Sequence, residues 1–102
     1  MAKFYYVYVL QSRRDTHLYI GSTGDLKIRF EEHQSQRTVS TKERGPWNLL
    51  YYEECVDKHD ALHREKYLKT TYGHRFLKSR LKSYFIGVTT KAQGEREFHY
   101  PV

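Results

Sequence analysis

The feature that most restricts the fold of this chain is a pair of aromatic and β-branched segments near its start. Residues 4–11 read Phe-Tyr-Tyr-Val-Tyr-Val-Leu-Gln, and residues 17–22 read His-Leu-Tyr-Ile-Gly-Ser. Such residues favour strands over helices. The polar residues 12–16 between them predict a hairpin loop. We therefore expect an antiparallel hairpin, with Gly21 at a bulge or at a close approach of another group.

Length and composition allow one small domain and exclude several classes of protein. The chain has 102 residues, of which 38% are hydrophobic and 16% aromatic, which is too apolar for a disordered chain. No apolar run approaches the roughly 20 residues of a membrane-spanning helix. The single cysteine, Cys55, is expected to be buried in a strand, and it excludes an internal disulfide. Since the start shows no signal-peptide pattern, we expect a cytoplasmic protein that does not bind membranes.

The middle of the chain predicts a helix, a loop and a third strand. The helix is expected over residues 25–36, after a turn that ends in a capping Asp25. A polar loop follows over residues 35–46, and an apolar strand over residues 47–56.

The last part of the chain predicts two helices and a tail. A helix begins after Asp57 and runs to about residue 70, a break falls at Tyr72-Gly73, and a further helix covers residues 74–85. The order β-β-α-β-α-α indicates an α/β (α+β) fold, in which helices flank a small, three-stranded, mostly antiparallel sheet. We assign residues 1–86 to the domain. Residues 87–102 are expected to form a loose tail, with a short strand over residues 98–100.

Glu65 departs most from a purely structural pattern. It lies on the apolar face of the predicted second helix, whose members are Ala61, Leu62, Glu65 and Leu68. A carboxylate that faces a core is costly unless it is paired or bound to a metal. The structural explanation is an ion pair with Arg64, Lys69 or Arg29, or a place at the rim. The functional explanation is a catalytic or metal-binding carboxylate.

Arg29 and His33 form a second group of candidates. They lie four residues apart, so they are neighbours on the predicted first helix, and both border its apolar face. Either residue alone is explained as a surface residue, with Arg29 extending past Phe30. Together, beside tyrosine-rich strands, they are candidates for a site. The alternating tyrosines of the first strand are by themselves typical of core packing.

Taken in order, these residues resemble the GIY-YIG nuclease superfamily. The matching segments are Tyr6-Val7-Tyr8, Tyr19-Ile20-Gly21, Arg29 with His33, and Glu65 in a charged helix. The resemblance covers residues 4 to about 82 and is closest to small members that are similar to the N-terminal incision domain of the bacterial excision-repair nuclease. The chain departs from the family pattern in three ways. Tyr6 replaces a glycine, Ser22 stands where the repair nuclease usually has lysine, and an asparagine after the glutamate is missing.

The resemblance implies hydrolysis of phosphodiester bonds in DNA with one divalent cation, Mg²⁺ or Mn²⁺. Glu65 matches the metal-binding glutamate, and Arg29 matches the arginine at the cleaved phosphate. Tyr8 and Tyr19 match the motif tyrosines, one of which helps to deprotonate the attacking water. His33 matches a residue that supports the tyrosine and the phosphate site. A tyrosine base needs a pKa below its ordinary value of about 10, and Arg29, His33 and the metal are expected to lower it.

Positive charge is concentrated near the end of the predicted domain. The formal net charge is +6, and residues 62–82 hold seven Lys and Arg against one acid. The seven are Arg64, Lys66, Lys69, Arg75, Lys78, Arg80 and Lys82. A charge run is usually a solvated helix face, but beside a nuclease site it indicates phosphate contact. In the loop, Arg37, Lys42 and Arg44 with Trp47 are expected to form a second contact edge.

The sequence leaves three functions open. The first is a metal-dependent DNA endonuclease, structure-directed or non-specific, in repair or recombination; the retained site residues favour it. The second is a nucleic-acid-binding module that has the nuclease fold and little catalysis. The third is a structural or partner-binding protein. Since no motif that reads base sequence is present, specificity would come from DNA structure or from a recruiting protein partner. The oligomeric state is not indicated.

Overall fold

The opening hairpin forms as predicted. The structure, a computed structural model, describes residues 3–35, 38 and 41–91. Strand β1 spans Tyr5–Ser12, strand β2 spans Leu18–Thr23, and the two pair antiparallel. In the turn between them, the Ser12 hydroxyl accepts hydrogen bonds from the backbone N–H groups of Arg14 and Asp15, at 3.0 and 3.2 Å.

The sheet has β1 at its centre. Strand β3 spans Trp47–Cys55 and pairs antiparallel with β1, so the strand order is β2-β1-β3. Because side chains alternate along a strand, β1 contributes to two cores. Tyr8 and Leu10 pack with Trp47 on one face, while Val7 and Val9 pack on the other. The predicted alternation and the three-stranded antiparallel sheet are confirmed.

Helices cover both faces of the sheet. Their bounds are α1 Leu26–Gln34, α2 Lys58–Leu68, α3 Thr71–Arg80 and α4 Lys82–Lys91. Asp25 caps α1 by accepting from the Ile28 N–H, and Asp57 caps α2 by accepting from the His59 N–H, both as predicted. The α+β class and the order β-β-α-β-α-α are confirmed, and α4 follows them. Helix α1 lies on the Tyr8 face, and α2 and α3 lie on the Val7 face.

The predicted break at Tyr72-Gly73 is wrong. The chain breaks instead at Lys69 and Thr70, and Thr70 caps α3 by accepting from the Gly73 N–H at 3.1 Å. Gly73 is buried in the first turn of α3, where a Cβ atom would collide with the Tyr67 carbonyl oxygen. The glycine permits close packing of two helix ends rather than ending a helix. The helix predicted over residues 74–85 is also interrupted. Its first part lies in α3, which ends at Arg80, and its last part lies in α4, which begins at Lys82.

Three smaller expectations also change. Leu62 is 39% exposed rather than on the inner face of α2, and Cys55 is half-buried rather than buried. The loose tail expected from residue 87 is wrong for residues 87–91, which belong to α4. The strand expected over residues 98–100 lies outside the described residues, and the domain boundary at residue 86 stays a prediction. Among the described residues, no helix is long and apolar enough to cross a membrane.

Candidate active site

The side chain of Tyr8 lies directly over Gly21. The two residues are opposite each other in the β1–β2 pair, and Tyr8 is fully buried. A Cβ atom added to Gly21 would lie 2.6 Å from the Tyr8 hydroxyl oxygen and 2.8 Å from Cζ, distances that real Cβ atoms do not adopt. The close approach expected at Gly21 is therefore that of the Tyr8 ring, and only glycine leaves room for it.

The Tyr8 hydroxyl belongs to a buried hydrogen-bonded network that we call the tyrosine–histidine network (Tyr8, His33 and Thr41). Tyr8 Oη lies 2.8 Å from His33 Nε2, and His33 Nδ1 lies 2.7 Å from Thr41 Oγ1. All three side chains are buried. Both ring nitrogens of His33 thus have partners, as buried polar groups require.

The end of α1 and the following loop position this network. The Gln34 side chain donates to the Trp47 carbonyl at 3.0 Å and accepts from the Trp47 N–H at 2.7 Å, which fixes the end of α1 on the first residue of β3. Ser12 donates to the Arg44 carbonyl at 2.7 Å, which fixes the loop to the end of β1. These contacts hold Thr41 against His33.

The network keeps Tyr8 protonated and His33 neutral. Burial raises the pKa of Tyr8 to about 12, against the opposing effect of Arg29. Burial, with the nearby Arg29 charge, lowers the pKa of His33 to about 4. In neutral His33 one ring nitrogen donates and the other accepts, so the tautomer sets the direction of both the Tyr8 and the Thr41 hydrogen bonds. The expected lowering of a motif tyrosine's pKa is not found at Tyr8, because desolvation outweighs the neighbouring positive charge.

Arg29 and Tyr19 complete this side of the site. The Arg29 guanidinium is near enough to the Tyr8 hydroxyl for its charge to act on the pKa of that group, and it forms a 2.9 Å ion pair with Glu32. It is partly exposed, so one side remains accessible to an anion. The Tyr19 ring lies between His33 and Trp47, with centroid distances of 5.0 and 6.2 Å.

Glu65 belongs to a second group, the carboxylate cluster (Glu65, Ser22 and Lys69). Ser22 donates to Glu65 Oε1 at 2.6 Å, and Lys69 forms an ion pair with Glu65 Oε2 at 2.7 Å. The Glu65 side chain is 19% exposed, so it lies at the rim of the core. Partial burial raises the pKa of Glu65, but the hydrogen bonds from Lys69 and Ser22 outweigh it and bring the pKa below its ordinary value. Of the three predicted ion-pair partners, Lys69 is the one observed.

Edge strand β2 brings the two groups together. Tyr19 and Gly21 lie on the face of the sheet that α1 covers, and Ser22, the next residue, contacts Glu65 on α2. The negative charge of Glu65 is close enough to contribute to the raised pKa of Tyr8. The structure thus places the five predicted residues at one edge of the sheet, with Tyr19, Arg29 and His33 around Tyr8 and with Glu65 beside them.

Two residues of this arrangement were not predicted as contributors. Thr41 lies in a polar loop. The only signal for a residue of this kind is that a buried histidine needs a hydrogen-bond partner for each ring nitrogen. Ser22 was expected only as a departure from the family pattern, at a position where the repair nuclease usually has lysine. Its hydroxyl instead orients Glu65.

The predicted cationic surface divides into engaged and accessible side chains. Arg64 donates two hydrogen bonds to Glu53, at 2.9 and 2.8 Å, and lies over the Phe76 ring, so its charge is largely compensated. Lys69 is engaged by Glu65, and Lys78 is half-buried. The exposed members are Lys66, Arg75, Arg80 and Lys82.

The second DNA-contact edge, which the sequence predicts in the loop before β3, is described by the structure only in part. Arg44 forms an ion pair with Asp15 at 3.4 Å and lies 5.3 Å from the centroid of the buried Trp47 ring. Lys42 is exposed, and Arg37 lies outside the described residues.

The candidate site supplies only a few ligands for a divalent cation, so water and substrate would have to supply the others. Among the described residues, no group of three or more His, Cys, Asp and Glu side chains is placed to hold a metal ion. Glu65 supplies one carboxylate and Ser22 one hydroxyl. Mg²⁺ is often held by one or two carboxylates, waters and substrate phosphates, so this donor set fits a cation that the substrate helps to bind.

The fold and the site define a small α+β domain that combines a buried tyrosine–histidine pair, an arginine and a rim carboxylate. The GIY-YIG catalytic domain matches residues 4–82, and this chain belongs to the GIY-YIG family. A UPF0213 protein of Limosilactobacillus reuteri is 43% identical over 68 residues, which cover 64% of this chain and 70% of the relative. A UPF0213 protein of Lacticaseibacillus paracasei is 40% identical over 74 residues, which cover 72% and 82%. These names state no activity.

One solved structure is also similar. The solution NMR structure of a UPF0213 protein from Bacillus halodurans aligns over 91% of this chain and 99% of its own, with 25% identity. The TM-score of 0.39 is too low for a comparison of individual elements.

Proposed function

We propose that this chain is a divalent-cation-dependent endonuclease that hydrolyses phosphodiester bonds in DNA, either structure-directed or non-specific, and that it acts in the cytoplasm in DNA repair or recombination. The observation that carries the proposal is the hydrogen-bonded Tyr8–His33 pair beside Arg29, at the same sheet edge as Glu65. Membership of the GIY-YIG family supports it.

Arg29 is suited to the charge that develops during cleavage. In the transition state, negative charge accumulates on the phosphoryl oxygens, and a permanently protonated planar fork can donate two hydrogen bonds to them. Glu32 orients the guanidinium from one side, and its partial exposure leaves the other side to the phosphate.

Tyr8 and His33 provide a path for the proton of the attacking water. Tyr8 Oη is the group that would accept this proton, while its own proton would move along the 2.8 Å hydrogen bond to His33 Nε2. With pKa values of about 12 and about 4, the resting pair holds the proton on Tyr8. Binding of substrate must therefore bring these two pKa values closer together before the relay operates, because Arg29 lowers the pKa of Tyr8 but lowers that of His33 as well.

Glu65 would hold the cation, with Ser22 orienting its carboxylate. When bound, the cation supplies Lewis-acid stabilisation of the leaving oxygen. Lys69 now occupies Glu65 Oε2, so its ammonium group must move away as the carboxylate takes a new partner. We expect weak cation binding by the protein alone and stronger binding in the presence of DNA.

The exposed cations Lys66, Arg75, Arg80 and Lys82 are the proposed phosphate contacts. Because each contact releases counterions from DNA, affinity should fall steeply as salt concentration rises. Arg64 contributes chiefly through its ion pair with Glu53, and Lys69 becomes available once it leaves Glu65.

A nucleic-acid-binding module with little catalysis is the second candidate. Two observations favour it: the pKa of Tyr8 is raised rather than lowered, and Lys69 occupies the carboxylate that the cation would need. This module would bind DNA through the same exposed cations and leave the strands intact.

The test is nicking of supercoiled plasmid by the purified chain with Mg²⁺, with Mn²⁺ and with chelator. Glu65→Ala and Arg29→Ala remove the two charged groups of the site, and Glu54→Ala, an exposed carboxylate on β3, is the matched control. We expect metal-dependent nicking by the wild type and the control, and none by the two site variants. Equal nicking by all four proteins would refute the site, and DNA binding without nicking would favour the second candidate.

A further inference from the structure

A groove between α1 and β3 lies apart from the candidate active site. Its volume is about 680 Å³, and its walls come from the first half of α1 and from β3, with Tyr6 of β1 at its base. None of the five candidate site residues lines it. It also lies on the face of the sheet opposite to α2 and α3, which carry the exposed cations Lys66, Arg75 and Arg80.

The base and walls of the groove are apolar and partly exposed. Tyr6 and Tyr52 form a pair of rings with centroids 6.0 Å apart, and Leu26, Phe30 and Leu49 extend the apolar surface. Tyr52 is 50% exposed and Leu49 is 37% exposed, although the same sheet face buries Tyr8 and Leu10 completely. Exposed apolar side chains that are adjacent to one another, rather than scattered singly, are typical of a binding surface.

Tyr6, which replaces the glycine of the family motif, is one of the residues that line the groove. Where the family pattern has glycine, this chain has a tyrosine whose ring packs against Tyr52 and lines the groove. A glycine at this position would remove one of the two rings. The substitution thus builds part of the surface while leaving the neighbouring Tyr8 in place.

The charge around the groove is opposite to that of the whole chain. Asp25, Glu31 and Glu54 line it together with one cation, Lys27, although the chain has a formal net charge of +6. Glu31 and Glu54 are exposed on opposite walls, and neither forms an ion pair within the described part of the chain. Two unpaired carboxylates repel a nucleic-acid backbone and attract cations.

We propose that this groove binds a partner protein through an apolar segment flanked by Lys or Arg residues. The apolar side chains of the segment would occupy the Tyr6–Tyr52 surface, and its cations would face Glu31 and Glu54. Such a partner would bring the domain to its DNA, which the chain itself has no motif to select. The surface is separate from the candidate active site, so binding of the segment is independent of nuclease activity, and only the delivery to DNA rests on the proposed function.

The experiment uses a phage-displayed library of random peptides panned on the immobilised wild-type chain. Selected peptides are then measured against Tyr52→Ser, against Glu31→Lys/Glu54→Lys, and against Tyr72→Ser, a matched control on α3 whose tyrosine is 68% exposed. Amide NMR spectra of each variant check that it is folded, and plasmid nicking should match the wild type.

We expect a class of peptides that combine apolar and Lys or Arg residues, with binding about ten-fold or more weaker to both groove variants and unchanged to the control. Acidic peptides that bind the exposed cations form an internal reference that the groove variants leave intact. Absence of the cationic class, or its equal binding to all variants, overturns the proposal. A concentration-dependent dimer in sedimentation that Tyr52→Ser abolishes would assign the groove to a second copy of the chain and overturn it as well.

Discussion

The tyrosine–histidine network and the carboxylate cluster sit at the same edge of the sheet but are built differently. The network is completely buried, and its groups are neutral and hydrogen-bonded to one another. The carboxylate cluster lies at the rim, carries opposite charges, and includes a lysine that is half-exposed. The first is therefore part of the core that holds the fold together, and the second is an addition to its surface.

Because the two groups differ in burial, we expect them to contribute differently to stability and to catalysis. A buried histidine that loses a partner leaves an unsatisfied polar group, which costs about 1–3 kcal/mol. The Glu65–Lys69 ion pair lies at the rim and its lysine is half-exposed, so we expect it to contribute about 0–1 kcal/mol and its loss to affect folding little. We expect substitutions in the network to lower both activity and stability, and substitutions in the carboxylate cluster to lower activity alone.

The largest expected effect is on cleavage by a Glu65→Gln variant. The amide keeps an oxygen for the Ser22 hydroxyl but loses the negative charge that would hold a cation. We expect the cleavage rate to fall roughly 10²–10³-fold, while the free energy of unfolding changes by less than about 1 kcal/mol. Single-turnover plasmid nicking and urea denaturation measure the two quantities. A large loss of stability would show that the carboxylate cluster is structural.

The next effect is the dependence of stability on pH through His33. Its pKa is about 4 in the folded chain and about 6.5 when exposed, so the unfolded chain binds the proton first between these values. The stability that neutral His33 provides is complete above pH 6.5 and is lost progressively as the pH falls to about 4, by up to about 3 kcal/mol.

Urea denaturation of the wild type and of a His33→Gln variant at several pH values isolates this contribution. The variant cannot bind this proton, so its stability should change less over the same range. An identical pH dependence of the two proteins would mean that His33 is not held neutral by the fold.

The smallest expected effect is a difference in thermal stability between alanine substitutions at two nearby glycines, Gly21 and Gly24. In Gly21→Ala the new Cβ would lie 2.6 Å from Tyr8 Oη, so the Tyr8 ring must shift, at about 1–3 kcal/mol. In Gly24→Ala the nearest atom, at 3.2 Å, is the Nζ of Lys3, at the end of a flexible side chain. Thermal unfolding should show a lower midpoint for the first variant and an unchanged midpoint for the second. Equal midpoints would mean that Gly21 does not limit the position of Tyr8.

Local patterns predicted most of the strands and helices because local signals mark where these elements begin. The hairpin followed from β-branched and aromatic residues, and the starts of α1 and α2 followed from Asp25 and Asp57, whose carboxylates accept the first helical N–H groups. The break at Gly73 was predicted wrongly. A glycine required by the packing of two helices has the same sequence signature as one that ends a helix.

The sequence predicted which residues form the candidate site, but it did not predict their pKa values or all of their hydrogen-bond partners. Glu65 was conspicuous as a charge on an apolar face, and the family motif supplied its neighbours. The raised pKa of Tyr8 depends on how deeply the ring is buried, and the Thr41–His33 contact joins residues through a loop without regular structure. Both depend on tertiary packing, which a single sequence does not specify.

The central claim is that the tyrosine–histidine network and the carboxylate cluster act on one phosphate. A double-mutant cycle tests it most directly, with single-turnover nicking rates for the wild type, Tyr8→Phe, Glu65→Gln and the double variant, each confirmed as folded. If the two groups act as a unit, the double variant should be about as slow as the slower single variant. Losses that multiply fully in the double variant would contradict the claim and show that the two groups act independently.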